Sequence, residues 1–145
     1  MGKMFSTGQD RGQANRIERR GLMDALDASQ ALVWFDATGM VIDANGNALA
    51  MFGFSEAEIL KQDYFTLCRR DAQPSMADKR EWHRIAAGEM FHTERSFWGK
   101  DGQEVWASVS FAAIRNDSGK TRRVVAIFID LNRFAWKPND VRRVI

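Results

Sequence analysis

Cysteine occurs once in these 145 residues, proline twice and histidine twice. The single thiol, Cys68, rules out an internal disulfide and any multi-cysteine metal site, and it fits a reduced, cytoplasmic setting. No apolar run nears the ~20 residues of a membrane span, and no signal peptide with an apolar h-region is visible, so no membrane partner is expected. A net charge of +2 is weak. Nucleic-acid binding usually shows a clustered basic face, and no such partner is expected here. Catalysis lacks its usual parts as well. There is no Ser-His-Asp set, no metal-ligand spacing and no phosphate-binding glycine loop. The carboxylates Asp36, Glu58, Asp78, Asp101 and Asp117 fall at caps and turns, where structural duty accounts for them. The chain is not expected to be an enzyme.

What is present is a core and a clear alternation. Hydrophobic residues make up 45% of the chain and aromatic residues 11%, enough for one domain. From Phe91 to Leu131 the sequence reads as three strands, Phe91–Trp98, Glu104–Ile114 and Arg122–Leu131. They are joined by Gly-Lys-Asp-Gly at 99–102 and Asn-Asp-Ser-Gly at 116–119, turns in which glycine supplies the positive φ. The middle strand alternates Val105, Ala107, Val109 and Phe111 with Trp106, Ser108, Ser110 and Ala112. The last, Val124–Ile129, is apolar on both faces and so is expected at the centre of a sheet.

Upstream, residues 1–14 read as disordered and 15–28 as a short flanking helix with a narrow stripe of Ile17, Leu22, Met23 and Leu26. A helix so short must pack on something: its own domain, a second copy, or a longer signalling helix of the parent protein. A hairpin follows, Leu32–Asp36 and Met40–Ala44, and then short helices opened by Asn45 and by the capping box Ser55–Glu58. The segment from Lys61 to Arg70 is ambiguous. A longer helix starts at Ser75, with Met76, Trp82, Ile85 and Ala86 as its apolar face, and ends at Gly88. Residues 29–132 form the domain and 133–145 an exit linker. The order predicts an α+β fold: one five-stranded antiparallel sheet with short helices over one face.

These residues resemble the PAS family. The hairpin LVWFDATGMVIDAN leading into NALAMFGFSEAEI, the turn and strand GKDGQEVWASVS, and the closing VVAIFIDLN carry the resemblance over about residues 29–132. The narrower likeness, through AAGEMFHTE and WGKDGQEVW, is to PAS domains of bacterial chemoreceptor-like transducers. The resemblance implies a sensory or interaction module that passes a change in the helix–sheet cavity to its flanking helices and on to an output domain.

It also implies places for a cofactor, and here the residues depart from the pattern. The reactive cysteine of flavin-binding light sensors falls at Tyr64, and Cys68 lies about a helical turn further on. The haem-ligating histidine positions fall near Ala77 and at Asp63-Tyr64, whereas His83 and His92 read as surface residues; Tyr64 stays open as a haem ligand. The loop from Arg69 to Pro74 keeps an arginine and a proline of the flavin-binding energy sensors without their histidine. Haem and flavin both fit the family, and neither finds its expected ligand.

Candidate pocket residues are Trp34, Phe52, Tyr64, Phe65, Trp82, Arg95, Trp106, Ser108, Ser110 and Phe128. Trp106 with its serines either faces the cavity or forms a docking surface outside it. Arg95 is the candidate for an anionic ligand. Asp130 is expected to anchor the strand end and couple the sheet to the exit segment. Two functions remain open: a ligand-binding sensor, homodimeric through residues 15–28, and a ligand-free dimerisation or protein-interaction module.

Overall fold

A computed structural model describes residues 8–69 and 74–134. Helix α1 (Gly8–Ser29) leads into β1 (Ala31–Asp36) and β2 (Val41–Ala44), then α2 (Gly46–Phe52), α3 (Glu56–Ile59), α4 (Tyr64–Cys68) and α5 (Met76–Ala86), and finally β3 (Phe91–Trp98), β4 (Glu104–Arg115) and β5 (Thr121–Asp130). The strands form one sheet in the order β2-β1-β5-β4-β3 with every neighbour antiparallel. The chain places β5 in the middle, as its two apolar faces require.

Local chemistry sets the helix boundaries. The Asn45 side chain accepts from the Ala48 amide to open α2, and Gly53 closes it in the left-handed region at φ 75°. Ser55 and Glu58 form the expected capping box. A second box, Asp63 with Thr66, opens α4 within the stretch that the sequence left ambiguous. Ser75 caps α5 by accepting from the Asp78 amide. Gly99 is required by a close approach, since a Cβ there would run into the Phe52 carbonyl.

Two expectations change. Residues 8–14 are helical, because α1 starts at Gly8; residues 1–7 lie outside the described residues. Met76 is 64% exposed, and Asp78 takes the buried place on α5 instead. Of the exit linker, only its start is described, in a single 3-10 turn (Leu131–Phe134).

The two asparagines at the start of α2 hold the end of α1. Asn45 Oδ1 accepts from the amides of Leu32 and Ala48, while its Nδ2 donates to the carbonyls of Gln30 and Asp27. Asn47 Nδ2 donates to the same α1 terminus. Replacing Asn45 with alanine removes a cap and leaves the Leu32 amide without its side-chain acceptor. The expected loss is about 2 kcal/mol, read from chemical denaturation.

Candidate functional site

Aromatic rings pack into the space between the helices and the sheet. Phe35 of β1 meets Trp82 and Tyr64 edge-on at 5.4 and 6.2 Å between ring centroids. Tyr64 touches Phe111 at 5.7 Å, and Phe128 lies between Phe52 at 5.2 Å and Phe97 at 5.1 Å. Each of these seven rings is buried. Edge-to-face pairs at such spacings are the favoured packing of aromatic cores.

A polar cluster edges this interior where α4, α5 and β3 meet. Asp78 is 4% exposed; its carboxylate accepts from Arg69 Nε at 3.0 Å and Arg95 Nη1 at 3.3 Å. Arg95 Nη2 also donates to the Cys68 carbonyl at 2.8 Å, and Nη1 lies 3.7 Å from Glu81. Glu81 in turn accepts from the Tyr64 hydroxyl at 2.8 Å. Burial works against the Asp78 carboxylate, yet hydrogen bonds from Ser75, Arg69 and Arg95 outweigh it and hold its pKa below the usual range. Burial pushes the Cys68 thiol up to about 12, the nearby Arg95 charge opposing it, so the thiol stays protonated and inert at neutral pH. Burial, with Cys68 and Glu81 beside it, likewise raises the Tyr64 hydroxyl.

The candidate pocket residues divide between the two faces of the sheet. Phe52, Tyr64, Trp82 and Phe128 belong to the filled interior, Phe65 packs half-buried against Tyr64, and Arg95 sits in the polar cluster. Trp34, Trp106, Ser108 and Ser110 point the other way. Val33 and Phe35 face the helices on β1, as do Ala107 and Val109 on β4, so the residues between them turn outward. Those four therefore stand outside the helix–sheet cavity. On the outer face Arg123 lies over the Trp34 ring at 5.7 Å, and the His92 ring nitrogens contact Ser110 at 2.9 Å and Ser108 at 3.3 Å. His83 and His92 are both exposed. Asp130 Oδ1 accepts from the Asn132 amide, which anchors the strand end. The arginine–proline loop from 69 to 74 lies outside the described residues at 70–73.

The sequence missed Asp78 and Glu81 as partners of Arg95. The signal was an acidic pair, three residues apart on α5, facing inward beside Trp82 and Ile85.

The outer side carries apolar residues among its polar ones. Ile42, Ile114 and Ile129 are 42%, 41% and 43% exposed, and Trp34, Trp98, Trp106, Val125 and Ile127 are half-buried. On α1 every residue from 13 to 25 is exposed, Ile17 at 71% and Leu22 at 61% among them. A cleft of about 800 Å³, bordered by Gln30, Asn47, Met51, Phe128 and Asp130, lies where α1 joins the sheet and β5 leaves it. Among the described residues no helix is long and apolar enough to cross a membrane.

Residues 30–133 match the PAS domain family. The chain is 29% identical over 120 residues to the biofilm dispersion protein BdlA of Pseudomonas aeruginosa, a match that covers 83% of this chain and 29% of that protein. The chain thus spans under a third of that relative's length. Among solved structures it resembles a domain of a sensory box sensor histidine kinase/response regulator from Geobacter sulfurreducens (24% identity, TM-score 0.63, 77% of this chain and 94% of that one). It also resembles the PAS domain of an HTR-like protein from Haloarcula marismortui (20% identity, TM-score 0.61, 84% and 99% covered). At these identities the solved structures speak for the fold alone.

Proposed function

Because this chain belongs to the PAS domain family, a family of sensory and signalling modules, we propose that it signals by associating with a second copy of itself and holds no cofactor in its helix–sheet interior. The observation that carries this reading is the division of apolar surface. The interior is occupied by the chain's own rings, while α1 leaves Ile17, Leu22 and Met23 uncovered. A helix of this kind that packs only at its end is marginal in water, and a second copy would cover its stripe. Asp130 then couples the sheet to an output domain of the parent protein, which we place in the cytoplasm. No catalytic step is part of this reading.

Mass and absorbance of the full chain test it together. The expected mass is twice the 16.5 kDa of one chain, with no absorbance band beyond that of the chain's own tryptophan and tyrosine. The double variant Ile17→Glu, Leu22→Glu should run as a folded monomer, because both side chains are exposed in the single chain, and its melting temperature should fall only by what association contributes and no longer vary with protein concentration. A monomeric wild type, or a flavin or haem band, would defeat the proposal. A second reading, in which a colourless ligand carries the stimulus, draws on the 800 Å³ cleft. It predicts that Met51→Trp, which narrows the cleft, weakens the response and leaves the mass as it was.

A further inference from the structure

We propose that Arg95 is a clasp: it holds one corner of the helical lid onto edge strand β3, and its release opens that corner without unfolding the sheet. The attachments of α4 and α5 are unevenly placed. The start of α4 is fixed to the β1–β2 hairpin, where the Tyr64 amide donates to the Gly39 carbonyl at 2.8 Å and Met40 bridges to Asp63. Trp82 Nε1 ties the middle of α5 to the Ala37 carbonyl at 3.0 Å. The end of α5 is bound to the sheet by Arg115 on the Ala87 carbonyl and Thr121 on the Ala86 carbonyl.

The remaining corner is formed by the end of α4 and the start of α5, and among the described residues its polar ties to the sheet converge on one side chain. Arg95 reaches the Cys68 carbonyl of α4 and the Asp78 and Glu81 carboxylates of α5. The two helices are also joined to each other without it, through Tyr64–Glu81 and Arg69–Asp78. Removing Arg95 therefore frees the corner as a pair of linked helices, pivoting on the hairpin and on the end of α5. The Arg95 side chain is 28% exposed, so water can compete for its bonds, which is where local opening is expected to begin. Beneath the corner lies Cys68, the chain's one thiol, 3% exposed when the clasp is shut.

That thiol is the reporter. Native-state alkylation of Cys68 by iodoacetamide in the full chain should depend only weakly on urea below the unfolding transition, because a corner exposes less surface than the whole fold. Arg95→Gln should speed the labelling by about tenfold or more, the factor implied by losing a charge-assisted hydrogen bond. The sheet variant Val124→Ala, with urea added to whichever variant is the more stable until the two match, should label no faster than that shared stability allows. Equal labelling of the two variants overturns the clasp. So does a wild-type urea slope equal to that of global unfolding, and this measurement decides the matter even if Arg95→Gln does not fold. Neither result depends on whether the protein associates.

Discussion

Phe128→Ala should cost about 4 kcal/mol of folding stability, the largest loss expected from any single truncation in this core. Phe128 is 2% exposed on the central strand and packs between Phe52 of α2 and Phe97 of β3. Three elements distant in the sequence meet on that ring. Its removal takes away the transfer energy of a large apolar side chain and two edge-to-face contacts, and its neighbours cannot all close in. The midpoint of urea unfolding measures the loss. Benzene provides a second reading. It should raise the melting temperature of the variant by occupying the new cavity and leave the wild type unmoved, since the Phe128 ring holds that space between Phe52 and Phe97. A wild type stabilised by benzene would show that the interior holds room for a ligand after all.

Asp78→Asn should be the most damaging change among the polar residues, at roughly 3 kcal/mol, because it leaves two arginines facing a neutral amide at a buried position. Part of Arg69 reaches solvent, which keeps the loss toward the lower end of the range for a broken buried pair. The acid limb of the stability curve gives an independent check. A carboxyl whose pKa is lowered in the folded state contributes stability that is complete above its unfolded value, near 4, and is lost as the pH falls through the folded value. Asp36 and Asp78 are both lowered, and Glu58 is held at about 2, first by the Ser55 amide and then by Lys100. The wild type should thus weaken steadily below about pH 4. Asp78→Asn should show a shallower decline over that interval, one titrating group having been removed. A decline as steep as the wild type's would mean that the carboxylate is not held by its arginines.

How much of this was legible beforehand varied with the kind of information each element carries. The meander from Phe91 to Asp130 could be read because period-two alternation and glycine turns are local properties, and the observed strands differ from the expected ones by a residue or so. Helix α4 could not. Five residues are too few for a helical period to appear, and its mark was a capping box, Asp63–Thr66, that goes unnoticed beside two aromatic side chains. On α5 Met76 is exposed and Asp78 buried, whereas helical spacing puts Met76 inside the stripe and Asp78 at the cap. Hydrophobicity alone favours that choice, but two arginines from elsewhere in the chain reversed it.

The same limit applies to the candidate pocket. Alternation established that Trp106, Ser108 and Ser110 share one face of β4 and that Val105, Ala107 and Val109 share the other. It left open which face the helices would cover, since both carry side chains small or apolar enough to be buried. From its sequence alone this protein determined its strands, its turns, most of its helix caps and its membership of the PAS fold, because each depends on residues close together in the chain. Tertiary structure decided which side of the sheet became the interior, that aromatic rings fill it, and that Arg95, Asp78 and Glu81 would meet. Those outcomes depend on side chains many residues apart competing for the same space and the same charges, and no short stretch of sequence records the winner.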